Sequence, residues 1–296
     1  MKHDKKTIFA NIALFFVALI WGGGFVAGKM SITGTTPFAV LVYRFGVAAL
    51  LTFIIFFKRI IRCDFSTIKK GVCIGALQAV ALGVQLSGLQ YTTSAKQAFL
   101  CTAYVAMVPF ISWILLRKRV TAREVVAGFT ALLGIALISL QGSLNIGLGD
   151  GLSLIFALLF GIQIVLIGKF MDDKTDIFAF SFFQFLSAFI LALSVCLIRG
   201  ESLVIGGTEA LIGVGYLILF NTVLAFIAQN IAQRYTTDTM ASLLLSLESL
   251  FGFAFSILYY RETPDFKFFA GAFLCFIAIL INSYKRKKTP DLSDIN

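Results

Sequence analysis

Runs of about twenty apolar residues recur along the whole chain, and they constrain the fold more than any other feature. A hydrocarbon core about 30 Å thick is spanned by roughly twenty residues of helix. Ten runs of that length fall at residues 8–29, 37–57, 71–91, 97–116, 123–141, 150–169, 178–198, 209–230, 239–260 and 266–284. They are continuous rather than alternating, which predicts helices and not barrel strands. The connections between them are short and carry the turn residues, such as Gly34, Pro37, Gly142, Gly206, Gly207 and Pro264. The expected fold is therefore an all-α integral membrane protein of ten transmembrane helices. Of 296 residues, 59% are hydrophobic and 14% charged, with a mean hydropathy of +0.93. Soluble proteins carry roughly 25% charged residues, so this chain lacks the polar side chains to cover a water-exposed surface. A soluble enzyme, a nucleic-acid binder and a disordered chain are excluded on that ground.

The basic residues are distributed unevenly, and the bias orients the helices. With the N-terminus in the cytoplasm, 19 of the 25 Lys and Arg fall on the cytoplasmic side and 5 outside, with Arg44 inside a helix. Positive charge is retained on the cytoplasmic side of membrane proteins, so both termini are expected there. The basic tail Lys285-Arg286-Lys287-Lys288, within the expected cytoplasmic segment 285–296, is suited to anionic lipid headgroups. The first run follows Lys2, Lys5 and Lys6, but it is longer than a signal-peptide core and no A-x-A site follows, so it is expected to remain as a helix. The five cysteines are scattered without a CxxC pair, and the one histidine is His3. Neither a disulfide framework, a metal centre nor a histidine-based triad is suggested, and no cofactor is expected.

The halves resemble each other. Tyr91-Thr92-Thr93 recurs as Tyr235-Thr236-Thr237, and the same offset of 144 pairs Leu100 with Leu244, Ser112 with Ser256 and Arg117 with Arg261. Ala18-Leu19 with Gly22 pairs with Ala157-Leu158 and Gly161 at an offset of 139. Two five-helix repeats are expected, residues 1–141 and 150–284. Because five is odd, the second must enter the membrane from the opposite side. Inverted repeats suit alternating access, with a site near the membrane midplane where the repeats meet.

At this point the residues resemble a family. Trp21-Gly22-Gly23-Gly24-Phe25-Val26-Ala27-Gly28-Lys29, Tyr43-Arg44-Phe45, Ser246-Leu247-Glu248-Ser249 and Tyr260-Arg261-Glu262-Thr263 are similar to the signatures of EamA-type members of the drug/metabolite transporter superfamily. The resemblance covers essentially the whole chain. It implies a ten-helix carrier, bacterial and in the plasma membrane, that exports small metabolites and is not an enzyme. Two positions depart from the pattern. Ser249 stands where the family often has Pro, which predicts a less kinked ninth helix, and Lys118 stands where an acid would mirror Glu262.

Polar groups inside the spans are the candidate site, since hydrocarbon leaves them unsatisfied. Glu248 lies near mid-membrane as a proton carrier, an amine anchor or a structural hydrogen-bonding group. Arg44 offers a planar fork to a carboxylate or phosphate, or else reaches to the outer interface or ties backbone carbonyls together. Gln78, Gln163 and Asn221, with Trp21 and Tyr104 as aromatic walls and Gln85 more weakly, are expected to line one polar cavity, or to make helix–helix bonds only. Gly22, Gly23 and Gly24 form a candidate gate, or allow close packing; no GK[ST] follows them, so a phosphate loop is excluded. The expected cargo is an amino acid or related metabolite, because Glu248 and Arg44 offer one charge of each sign. The alternatives are a nucleotide-sugar or sugar-phosphate exchanger, which should carry more mid-depth cations than this chain has, or an integral-membrane enzyme, which would need a nucleophile–base or acid pair where the spans offer no histidine and one clear mid-span carboxylate. Proton coupling and a monomer or homodimer in lipid complete the expectations.

Overall fold

The computed structural model describes residues 2–139, 147–261 and 266–283. The described residues form helices α1 (Lys2–Ser31), α2 (Pro37–Ile60), α3 (Phe65–Leu89), α4 (Ser94–Cys101), α5 (Tyr104–Leu116), α6 (Ala122–Ser139), α7 (Leu148–Phe170), α8 (Ile177–Arg199), α9 (Thr208–Tyr216), a π-helical stretch (Leu217–Leu224), α10 (Ala225–Gln233), α11 (Asp238–Leu245), α12 (Glu248–Tyr260) and α13 (Phe266–Ser283). α4 with α5, α9 through α10, and α11 with α12 each make one interrupted crossing, so the helices group into ten segments. Eight of these are long and apolar enough to cross a membrane, and α6 and α13 are 18 residues each. The exterior is apolar, with Ile55, Ile198 and Phe266 exposed, while Arg44, Gln184 and Asn230 are buried. That inversion of the water-soluble pattern fits a lipid surround.

Local sequence explains the helix ends. Thr36 caps α2 with Pro37 behind it, and Asp64, Asp176, Thr93 and Thr237 cap α3, α8, α4 and α11 by accepting from the first-turn amides. Gly200 ends α8 in the left-handed conformation, φ 62°, which costs a glycine little. The ninth crossing is interrupted at Ser246–Leu247 although it lacks the proline. The Ser246 hydroxyl donates to the Leu243 carbonyl at 2.7 Å, and Thr102 does the same to Phe99 at 2.8 Å in the fourth crossing. Such back-bonding competes with the helical ladder.

The repeat is visible in the element bounds. Shifting α3, α4, α5 and α6 by 144 residues gives the bounds of α9–α10 to within one residue, and of α11, α12 and α13; shifting α2 by 140 gives α8 to within one residue. The change of offset is a loop length, residues 61–64 against 200–207. Residues lying on a two-fold axis touch their own counterparts, and four such pairs occur among the described residues, one of them Trp21 with Phe160 at the offset of 139. Phe45 stacks with Phe185 at 6.4 Å, the Tyr104 hydroxyl donates to Glu248 Oε1 at 3.1 Å, and Cys275 Sγ donates to the Ala131 carbonyl at 3.8 Å. Helix pairings follow the same symmetry: α1 lies on α9, α10, α11 and α12, and α7 correspondingly on α3, α4 and α5.

Polar ties close both ends of the bundle. On the α1–α2 face the Gly206 amide donates to the Gly34 carbonyl at 2.9 Å, Thr36 to Glu201 at 2.6 Å, and Lys96 pairs with Asp150 at 2.9 Å. On the opposite α2–α3 face Lys70 pairs with Asp172 at 2.9 Å, Lys118 with Asp238 at 2.5 Å, and Thr236 donates to Asn11 at 3.0 Å. Lys118, standing where an acid was expected, thus binds one. Glu262, Thr263 and the tail 285–296 lie outside the described residues.

Candidate functional site

The site is built around Arg44, seven residues into α2 and 1% exposed. Its Nε donates to Thr222 Oγ1 at 3.0 Å and a terminal nitrogen donates to Asn221 Oδ1 at 2.8 Å. Both acceptors sit in the π-helical stretch, where the Thr222 hydroxyl in turn donates to the Leu217 carbonyl at 2.7 Å, five residues back. A widened turn presents two consecutive side chains that a regular helix would point 100° apart. The planar guanidinium is matched to two acceptors held side by side. The interface-reaching alternative for Arg44 therefore does not describe it; the residue ties α2 to the eighth crossing.

Asn221 is the hub of the site. Its backbone carbonyl accepts from Trp21 Nε1 at 3.0 Å. A Cβ on Gly24 would lie 2.1 Å from its amide nitrogen. Trp21 packs against Phe160 and Phe226, with ring centroids 5.4 and 5.1 Å away, and Tyr104 also packs against Phe160 at 5.2 Å. Glu248 is the first residue of α12 and Tyr104 the first of α5, so the interruptions of the fourth and ninth crossings meet at this hydrogen bond.

One cavity joins these groups. Trp21, Gly24, Arg44, Gln85, Asn221 and Glu248 line it, together with Phe25, Gln97, Phe156, Phe160, Phe226 and four leucines. Its free volume is about 40 Å³, room for water, whereas small-molecule sites run to roughly 300–1,000 Å³. Accommodating a metabolite requires the helices to part.

The predicted residues divide. Trp21, Asn221, Glu248, Arg44, Gln85 and Gly24 come together at the cavity, and Tyr104 joins through Glu248. Gln78 lies apart, accepting from Gln184 of α8 through its side-chain oxygen. Gln163 is fully buried and outside the cavity lining, with neither amide atom hydrogen-bonded. α1 runs unbroken through Gly22, Gly23 and Gly24. A Cβ at each would meet a different neighbour: Phe251 and the Gly252 backbone, the Tyr216 hydroxyl, and Asn221. Successive helical residues face directions 100° apart, so three glycines let three elements approach one turn of α1. Sequence reasoning missed Thr222, Gln97, Phe160, Phe226 and Gln184. The offset of 140 would have found Gln184, because it maps Arg44 there.

A helical membrane protein whose two halves repeat the same element bounds, with a cavity lined by residues of both, has the architecture of a membrane transporter. The chain is a member of the EamA-like transporter family, whose model matches residues 8–140 and again residues 147–284. It is 32% identical over 282 residues to an uncharacterized transporter of Archaeoglobus fulgidus, covering 95% of this chain and 87% of that one. A second uncharacterized transporter of that organism is 25% identical over 285 residues, covering 93% and 98%. A solved crystal structure at 15% identity superposes with a TM-score of 0.70, covering 93% of this chain and 96% of its own, and shows the shared fold.

Proposed function

We propose that the protein is a secondary carrier that moves a small zwitterionic metabolite, an amino acid or a close relative, outward by alternating access. The supporting observation is that a single buried cavity is lined by both the Arg44 guanidinium and the Glu248 carboxylate. Charge in hydrocarbon is costly unless it is paired or functional. Arg44 is bonded to neutral oxygens, and Glu248 accepts from a phenol. A zwitterion supplies the counter-charge that each lacks. In this reading the α2–α3 face, with Lys58, Arg59, Arg62, Lys69 and Lys70, is cytoplasmic. The Lys96–Asp150 pair closes the outer end. The cell membrane is the site of action, and protons or the cargo's own gradient supply the driving force.

Counterflow in proteoliposomes tests this. Preloaded unlabelled amino acids should drive transient accumulation of labelled ones. Glu248→Gln should abolish exchange and net flux together if the carboxylate holds the cargo's amine. Loss of pH-driven net flux with exchange retained would assign the carboxylate to the proton instead. No counterflow with any amino acid would overturn the cargo class.

A further inference from the structure

The second polar cluster has a defined relation to the cavity. Gln184 of α8 donates to Gln78 of α3, and Asn230 of α10 donates to Gln184 Oε1 at 2.8 Å and to Ser181 Oγ at 3.0 Å. Gln229 donates to Gln233 at 2.8 Å, and Gln233 to the Ile164 carbonyl of α7 at 2.9 Å, beside Gln163. All six amides are 3% exposed or less. Gln163, Gln184, Gln229, Asn230 and Gln233 lie within seven residues of the ends of α7, α8 and α10 at the α2–α3 face, and Gln78 lies at the middle of α3.

The repeat maps the cavity onto this cluster. The cavity wall in α3 is Leu82, Gln85, Leu86 and Leu89, and an offset of 144 gives Phe226, Gln229, Asn230 and Gln233. The offset of 140 takes Arg44 to Gln184, and 144 takes Gln78 to Thr222. The bond from Arg44 to Thr222 is therefore repeated as the bond from Gln184 to Gln78. In an inverted repeat, the positions that wall a cavity on one side should wall its counterpart on the other.

The cluster is also short of partners. Gln78 Nε2, both amide atoms of Gln163, Gln229 Oε1 and Asn230 Oδ1 are buried without a hydrogen bond. Leaving buried polar atoms unpaired is costly, and a packing role would be filled as well by leucine. Side chains that only joined helices would not present both free donors and free acceptors.

We propose that Gln78, Gln163, Gln184, Gln229, Asn230 and Gln233 line a second polar chamber, which opens to the α2–α3 face and receives an uncharged hydrogen-bonding part of the cargo. The inference rests on the carrier reading above. Amides occupy the positions and hydrogen-bond uncharged partners, so this chamber recognises hydroxyl, amide or hydrated groups by paired donors and acceptors. It has no counterpart of the Arg44 cation.

The test is thiol accessibility in proteoliposomes, on a background with all five native cysteines replaced. Asn230→Cys, Gln163→Cys and the conservative Ser181→Cys are exposed at the α2–α3 face to membrane-impermeant methanethiosulfonates, one cationic and one anionic. Loss of the free thiol is expected in all three, at similar rates for the two reagents once scaled to Thr236→Cys at the rim. A preference of about tenfold or more for one sign, as a charged cleft imposes, would overturn the uncharged chamber. Gln85→Cys, probed from the opposite face, separates the two readings. If it reacts while all three cluster thiols stay free and Thr236→Cys reacts, the chamber is overturned and the carrier stands. If Gln85→Cys is also inert, both fall.

Discussion

Arg44 depends on shape as much as on charge. A lysine at this position keeps the charge but has no planar fork, so it can satisfy Thr222 or Asn221 but not both in the present geometry. Arg44→Lys should destabilise the fold by about 1.5–3 kcal/mol, the value of one charge-assisted bond, measured by thermal unfolding in detergent. Asp172, in the α7–α8 loop, gives a pH-dependent contact. The Thr175 hydroxyl first and the Lys70 ammonium second hold its carboxyl at about 2, below the ordinary 3.8. A depressed carboxyl contributes stability above its unfolded value, and that contribution disappears as pH falls from about 4 toward 2. Because Asp172 is half exposed, the effect is local and screened. The protection of the amides of residues 171–176, taken relative to their intrinsic exchange rate at each pH, should fall across that window, and Thr175→Val should move the Asp172 titration up toward 3.8. Arg44 and Glu248 were legible as isolated charges in apolar runs, and Asn221 and Tyr104 as polar groups within them. The pairing of Arg44 with Asn221 and Thr222 together was not, because the two meet it only through a π-helical turn that no residue pattern announces.

Among the elements, α1 carries its constraint in three glycines. A Cβ on Gly22 would lie 2.4 Å from Phe251 Cβ and 2.8 Å from the Gly252 amide nitrogen, so Gly22→Ala must push α1 and α12 apart. At Gly23 the obstruction is the Tyr216 hydroxyl at 2.5 Å, the free end of a side chain. Overpacking costs about 1–3 kcal/mol. Gly22→Ala should fall at the upper end, and Gly23→Ala lower. Tyr216→Phe, which removes the obstructing oxygen, should recover part of the Gly23→Ala loss in a double-mutant thermal melt. No recovery would mean that Gly23 matters for backbone freedom rather than space. The helix bounds were readable from hydropathy to within a few residues for most crossings. The interruptions at Thr102 and Ser246 were not, because hydroxyls that bond to their own helix leave the apolar run unbroken.

For the molecule as a whole, sidedness follows from which loops share a face. Cys63 in the α2–α3 loop should react with impermeant reagents from the cytoplasmic side. Ser202→Cys in the α8–α9 loop should react from outside, scored in intact against permeabilised cells. Labelling of both from one side would overturn the inverted arrangement. The duplication was legible because turn and cap residues such as Tyr91-Thr92-Thr93 survive as a string. The apolar part of the cavity wall was not, since its leucines and phenylalanines are indistinguishable by type from those that face lipid.

The contact between Tyr104 and Glu248 also bears on why the two halves share one polypeptide. These residues hold the same position in successive repeats, and they touch. Two identical five-helix chains meeting about a true two-fold axis would have to place one residue type there twice, two carboxylates repelling each other or two phenols without an acid. Joining the halves end to end lets each copy mutate alone, so a donor can face an acceptor across the axis. A gene encoding the first half twice would therefore yield the right outline around a centre with no acid, and one encoding the second half twice would bury a like-charged pair.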